Sequence, residues 1–367
     1  MKILQLGKFY PIRGGVEKVM WDITNGISAC GIDCDMLCAK LGKGEVIRLN
    51  PHGRVICVPT LKKVAATMLA PAMIRWLRKH AAEYDIIHIH HPDPMAALAL
   101  FLSGYKGRVF VHWHSDILKQ RLLLFFYRPL QNWVLRRAEK IIGTTPVYVR
   151  ESPYLKQFQD KVTYVPIGVV PMVPDPAGVE KIRARWPDRK IVFSLGRLVG
   201  YKGFEYLVGA AKYLGEGYQI VIGGGGPLKD ALNEQIIREN AKKNVSLTGF
   251  LRDDEVRNWF GACDVFVLSS IWKTEAFAIV QVEAMSCGKP VVATRIPESG
   301  VSWVNGQGES GLNVSPENSK ALADAVLEIT KDAETYENYS AGARARYERL
   351  FTYEEMIDNV LKTYTGL

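Results

Sequence analysis

Runs rich in Val, Ile and Leu recur along the first half of the chain, at residues 3–6, 35–38, 55–58, 85–90, 108–112, 140–144 and 162–165. A second series follows at 191–195, 219–222, 245–248, 265–268, 290–294 and 312–314. Helical stretches separate them. Continuous apolar runs alternating with helices predict βαβ units and parallel sheets. The series restarts after residues 166–187, where "VVPMVPDP" reads as a connector. The pattern therefore predicts an α/β fold of two similar domains with a cleft between them, at 1–167 and 188–351, joined by a linker at 168–187. The last segment, 353–364, carries Met356, Val360, Leu361 and Tyr364 at helical spacing.

Composition is consistent with two domains. The chain has 367 residues, 48% of them hydrophobic and 23% charged. Its longest apolar run, residues 95–102, is far shorter than the roughly 18 residues of a membrane span. The amino terminus lacks the layout of a signal peptide. Six cysteines form no CxxC pair, which predicts reduced core thiols. The net charge of +9 is uneven: residues 1–167 hold 24 Lys and Arg against 12 Asp and Glu, and the remainder 23 against 26. A basic half predicts an anionic partner. Nucleic acid, an anionic membrane surface and a phosphorylated substrate all satisfy that charge. No nucleic-acid motif accompanies it, so nucleic acid is not expected.

Several pieces suit phosphate. Gly14 and Gly15 follow the first strand and precede a helix predicted over 16–27, where backbone amides and the positive helix end face one place. Arg197 and Lys202, in "SLGRLVGYKG", follow the strand at 191–195. They lie at its carboxyl end, where α/β sheets bind ligands. An Arg fork and a Lys point charge suit a diphosphate. The run Gly223–Gly226 in "IGGGGPL" lets backbone approach a ligand or makes a tight turn.

"TEAFAIVQVEAMSCGKPVVAT" sets Glu275 and Glu283 around an otherwise apolar segment, with seven residues between them. A helix over 278–286 puts Glu275 just ahead of it and Glu283 about two turns in. Eight residues at helical rise span about 12 Å. Amides at Phe277, Ala278 and Ile279 are then available to a charge in the middle. A nucleotide sugar fits: sugar hydroxyls at Glu275, diphosphate at the helix end, ribose at Glu283. Val280, Val282, Ala284 and Met285 make the surroundings of Glu283 buried, and a buried carboxylate needs a partner.

Taken in order, "GGVEK", "GRLVGYKG", "GGGGP" and the E-x7-E of "EAFAIVQVE" resemble the retaining glycosyltransferases of the GT-B fold, family 4, of the type that builds bacterial cell-surface polysaccharides. The resemblance spans nearly the whole chain. It implies two Rossmann-like α/β/α domains with parallel sheets facing across a deep cleft, and a final helix, about 352–367, packing back on the first domain. It implies an N-terminal acceptor domain and a C-terminal nucleotide-sugar domain. It assigns the donor diphosphate to Arg197 and Lys202, the transferred sugar to Glu275 and the ribose to Glu283. It places His114, in "HWHSD", against the donor sugar, with Asp116 orienting it or taking the acceptor proton. The catalytic set is then His114, Glu275, Arg197 and Lys202. The donor-binding set is Gly14, Gly15, Gly225, Gly226, Leu251, Phe277, Ala278, Ile279 and Glu283. Two departures stand out. Ala276 and Ala278 occupy positions where many members have glycine, and Arg295-Ile296-Pro297 replaces an acidic residue and a glycine pair.

The same resemblance implies a metal-independent reaction with no cofactor. Retention is expected by front-face attack with the diphosphate as base. "HIHH" (88–91), "HWH" (112–114) and "DCD" (33–35) are weighed as metal motifs and set aside, the last because it precedes its strand. The expected activity is transfer of a hexosyl or N-acetylhexosaminyl unit, from a UDP-sugar rather than GDP-mannose, to a polyprenyl-diphosphate-linked glycan in O-antigen, lipopolysaccharide or capsule synthesis. A sugar-nucleotide epimerase or soluble disaccharide synthase is the alternative. Residues 117–140 carry six basic residues, and 61–80 five with no acid, beside Trp, Phe and Leu. That mixture suits an anionic membrane surface, predicting a peripheral protein on the cytoplasmic face of the inner membrane.

Overall fold

The computed structural model describes residues 1–12, 14–64, 67–117 and 121–366, excepting the side chains of 64, 67 and 121–123. The chain divides into two compact units, Met1–Ile167 with Tyr353–Leu367, and Gly168–Thr352.

The first unit holds β1 (Lys2–Tyr10), β2 (Asp33–Leu41), β3 (Glu45–Asn50), β4 (Gly53–Thr60), β5 (Lys62–Val64), β6 (Thr67–Leu69), β7 (Ile86–His91), β8 (Arg108–Trp113), β9 (Lys140–Gly143) and β10 (Val162–Tyr164). Eight of them form one sheet in the order β10-β9-β8-β7-β1-β2-β4-β3, and β5 and β6 form a separate two-stranded antiparallel sheet. Winding reverses between β1 and β7. The sheet is not wholly parallel as expected: β3 runs antiparallel to β4 at the edge. Its sequence alternates, with Val46 exposed while Ile47 and Leu49 pack on Met20, Met36, Cys38, Val55 and Cys57. One covered face produces alternation, so a search for continuous apolar runs passes over this strand.

The second unit holds β11 (Lys190–Leu195), β12 (Tyr218–Gly223), β13 (Val245–Gly249), β14 (Val265–Leu268), β15 (Val291–Thr294) and β16 (Gly311–Val314). Their order is β13-β12-β11-β14-β15-β16, and every pairing is parallel. Winding reverses between β11 and β14. Val192, Ile220, Val265 and Val292 of this sheet share a core with Leu207, Val208, Leu322 and Val326 of the covering helices.

The segment expected as a linker, 168–187, is corrected in part. It contains the helix Pro176–Arg183 within the second unit. Asp175 caps it, accepting from the Gly178 amide at 2.9 Å, and Pro176 opens the first turn. Asp-Pro is a helix-start signature that the neighbouring prolines obscured. The helix Tyr353–Thr365 belongs to the first unit, where Met356, Ile357, Val360 and Tyr364 are buried. The Tyr353 hydroxyl donates to the Asp22 carbonyl at 2.8 Å. Two smaller expectations also change. Cys30 is exposed and Cys287 half-buried, so not every thiol lies in the core. Asp33 and Asp35 sit inside β2 rather than before it, and Asp35 accepts from Tyr84 at 2.6 Å.

Candidate functional site

The carboxyl ends of β11 and β14 flank the reversal of winding in the second unit, the place where open α/β sheets leave a crevice for ligands. Lys202 comes from the loop after β11 and Glu275 from the loop after β14. Their side chains meet, Lys202 Nζ to Glu275 Oε2, at 2.5 Å, and both are nearly buried at 11% and 12% exposure. Burial alone would lower the Lys202 ammonium, but the Glu275 carboxylate outweighs it and holds Lys202 above the ordinary lysine range. Ser270 Oγ donates to the same Glu275 oxygen at 2.9 Å. Thr294, at the end of β15, donates to the Ser270 carbonyl. Ser299 Oγ donates to the Glu275 carbonyl at 2.5 Å. The ends of three adjacent strands thus hold one charged pair. Diphosphate contact and sugar contact, assigned separately to Lys202 and Glu275, fall on partners of a single ion pair. Ser270, Thr294 and Ser299 were missed by sequence reasoning. For Ser270 and Thr294 the only signal was a hydroxyl residue at the end of a strongly apolar strand.

Arg197 follows β11 and is exposed. The glycine run closes β12 beside the same loop: Leu198 N–H donates to the Gly225 carbonyl at 3.0 Å, and Leu228 N–H to the Leu198 carbonyl at 3.1 Å. Leu251 Cδ1 lies 2.8 Å from where a Cβ on Gly223 would stand. Phe277 and Ala278 are buried ahead of the helix Ile279–Ser286. Ala278 caps that helix in the left-handed region, φ 62°. For a residue with a Cβ this conformation costs about 1–2 kcal/mol, so the glycine common at this position would sit there more easily. Glu283 is the fifth helical residue and half-buried. It therefore stands about 6 Å along the axis from the helix start, little more than one turn in rather than two. Arg295 turns back to β16, donating to the Asn313 carbonyl at 3.3 Å.

In the first unit Gly14 caps the helix Gly15–Ala29, with an extended backbone and no side-chain cap. His114 follows β8 and is buried with His88 and His90 of β7 and His112 of β8. The four imidazole planes lie nearly parallel. His112 and His114 lie 4.2 Å apart at 1°, His90 and His114 5.2 Å apart at 15°, and His88 and His90 4.9 Å apart at 25°. Burial, reinforced by neighbouring imidazoles, drives His88, His90 and His114 well below the ordinary histidine range, and burial pushes His112 down to about 3. All four are neutral near pH 7. Nitrogens of His90, His112 and His114 lie within 4.8 Å of one another. In the structure His90 Nδ1 and His114 Nε2 face each other at 2.9 Å as hydrogen-bond partners. Asp116, expected to orient His114 or take the acceptor proton, has other hydrogen-bond partners at its Oδ1. Its Oδ1 accepts from Trp113 Nε1 at 2.9 Å and Ser152 Oγ at 2.7 Å, while His114 Nε2 meets His90 Nδ1 at 2.9 Å.

Part of the basic stretch 117–140 falls outside the described residues, at 118–120 and the side chains of 121–123. Within its helix, Arg121–Arg137, Phe125 and Phe126 are each 72% exposed. Among the described residues no helix is long and apolar enough to cross a membrane.

Comparison with known proteins covers both units. Residues 14–168 match the family model described as "Glycosyl transferase 4-like domain", and residues 179–346 the one described as "Glycosyl transferases group 1". The O-antigen chain mannosyltransferase C of Escherichia coli is 31% identical over 371 residues, covering 100% of this chain and 99% of that protein. The D-rhamnosyltransferase WbpZ of Pseudomonas aeruginosa is 31% identical, covering 96% of this chain and 92% of that protein. Among solved structures, Anabaena Alr3699/HepE in complex with UDP superposes with a TM-score of 0.80 at 22% identity, covering 100% of both chains, which shows the GT-B fold.

Proposed function

The chain belongs to the group 1 glycosyl transferases and is a glycosyltransferase of GT-B fold; from that premise we propose that it extends a bacterial surface polysaccharide of the O-antigen class. The transferred unit is a sugar of the mannose series, carried on a nucleoside diphosphate, and the acceptor is a lipid-diphosphate-linked glycan. The UDP-sugar first expected, an N-acetylhexosamine or a hexose, gives way here, because the two relatives matched over nearly their whole length are a mannosyltransferase and a rhamnosyltransferase. The observation that carries the reading is the Lys202–Glu275 pair at the reversal of winding in the second unit. A dianionic diphosphate arriving there finds Lys202, Arg197 and the amino end of the helix Ile279–Ser286. As Lys202 turns to the diphosphate, the Glu275 carboxylate is released to accept from sugar hydroxyls. Glu283 accepts from ribose. In the first unit His114 contacts the sugar.

In this reading no metal takes part. Arg197, Lys202 and the helix end stabilise charge developing on the departing diphosphate. Retention follows if the leaving diphosphate takes the acceptor proton on the face it vacates. A donor panel with a short lipid-diphosphate acceptor tests this, using GDP-mannose, UDP-glucose and UDP-N-acetylglucosamine, with EDTA present and absent. The expected product has one hexose added from GDP-mannose, with the donor's anomeric configuration by NMR and a rate indifferent to EDTA. Transfer from UDP-N-acetylglucosamine alone, or an inverted anomer, would count against it.

The acceptor's lipid implies contact with a bilayer. Phe125 and Phe126, exposed on the helix that also carries Arg128, Arg136 and Arg137, have the composition of an interfacial helix. The protein is expected to sediment with anionic vesicles and to leave them in high salt. Replacing both phenylalanines with serine should weaken that partition about tenfold or more, since each ring contributes about 1.5–3 kcal/mol when fully buried. Equal binding to neutral vesicles, or none to anionic ones, would refute the membrane reading.

A further inference from the structure

His114 is one end of a hydrogen-bond chain that begins on the C-terminal helix. Gln5 of β1 lies buried at the first unit's own reversal of winding, register partner of His88 on β7. Its amide nitrogen donates to the Tyr364 hydroxyl at 3.1 Å and approaches Cys34 Sγ at 3.8 Å. Its carbonyl Oε1 stands 2.8 Å from His90 Nε2. His90 Nδ1 stands 2.9 Å from His114 Nε2. The Tyr364 hydroxyl also reaches His88 Nδ1 at 2.5 Å.

With the Gln5 nitrogen toward Tyr364 and its oxygen toward His90, the donors and acceptors along this chain have one consistent assignment. A carbonyl oxygen only accepts, so His90 carries its proton on Nε2. A neutral imidazole holds a single N–H, which leaves His90 Nδ1 bare. It therefore accepts from His114, whose proton sits on Nε2. By the same count His114 Nδ1 is bare. The Tyr364 hydroxyl, having accepted from Gln5, donates to His88.

We propose that Gln5, oriented by Tyr364, fixes the tautomer of His114 through His90, so that His114 presents a bare Nδ1 as a hydrogen-bond acceptor for a substrate hydroxyl. Gln5, His90 and Tyr364 are positioning residues. The consequence for transfer rests on the reading of His114 as a sugar-contacting residue. A reversed Gln5 amide would flip every link together, leaving His114 with Nδ1–H, a donor. One buried amide thus sets what a histidine two hydrogen bonds away offers its ligand.

The first readout is spectroscopic and needs no substrate. Full-length protein labelled with 15N at histidine gives long-range 1H–15N correlations that separate the two neutral tautomers, with His114 assigned by the peaks lost in His114→Gln. The Nε2–H form is expected for His88, His90 and His114. In Tyr364→Phe, which removes one oxygen, and in Gln5→Met, which removes both polar atoms, His90 and His114 should become tautomer mixtures. Their kcat should fall about tenfold or more, a wrong tautomer being costly even in intact geometry. The Nδ1–H form in the wild type, or an unchanged His114 signal in both variants, would overturn the proposal while leaving glycosyl transfer untouched. The expected tautomer combined with full activity in His114→Ala would instead remove His114 from the proposed site, and with it the claimed effect on transfer.

Discussion

Lys202→Met is expected to lower kcat/KM for sugar transfer by about a hundred- to a thousandfold, the loss seen when one preorganised group facing developing charge is removed. It should also destabilise the second unit by about 3–5 kcal/mol, because Glu275 would remain buried without its cation. Two causes would then lie behind one rate, and a second variant separates them. In Lys202→Met with Glu275→Gln, no charge is buried, and the amide still accepts from Ser270 Oγ, which stands 2.9 Å from Glu275 Oε2. Stability should largely return in a urea titration while transfer stays lost. If transfer returns with stability, Lys202 serves only to neutralise Glu275, and the diphosphate is held elsewhere. If neither single nor double variant changes the rate, the crevice at β11 and β14 is not the donor site. The measurements are urea midpoints and initial rates at matched folded fraction.

The order of elements was legible because parallel strands buried on both faces read as uninterrupted apolar runs. What the runs enclose was less so. β3 escaped because only one face is covered, and Pro176–Arg183 because three prolines nearby read as linker. At the site, Lys202 and Glu275 were singled out by residue type and spacing, and His114 by the resemblance of its motif. Their partners were not, since contact between Lys202 and Glu275 joins positions 73 apart in sequence across the reversal of winding. Gln5 and Tyr364 are farther apart still, 359 positions, and neither carries a charge to draw notice. Asp116 lies two residues from His114, and proximity in sequence suggested a contact between them, whereas its Oδ1 accepts from Trp113 Nε1.

The second large effect is expected at the glycine run, where neighbouring positions should behave in opposite ways. A side chain on Gly224 would place its Cβ 2.0 Å from the Gly196 carbonyl oxygen, at a backbone φ of +124°. Both the clash and the angle forbid it, and the obstacle is backbone rather than a movable side chain. Gly224→Ala should therefore destabilise by about 3 kcal/mol or more and separate the loop after β12 from the loop carrying Arg197 and Lys202. Gly225 differs: a Cβ there meets nothing within 4 Å, and its φ is not in the positive range. The fold makes no demand for glycine at that position, so Gly225→Ala should stay within about 0.5 kcal/mol of wild type. Any loss of function in Gly225→Ala must then come from the ligand's side. If backbone at 225 lies against the donor phosphates, the added methyl should raise the donor KM about tenfold while kcat and the melting temperature hold. An unaltered KM would remove Gly225 from the donor-binding set and leave the run as a structural turn. A Gly224→Ala protein as stable as wild type would mean that the two loops do not approach as closely as 2.0 Å requires, and the arrangement of Lys202 beside Glu275 would have to be drawn again.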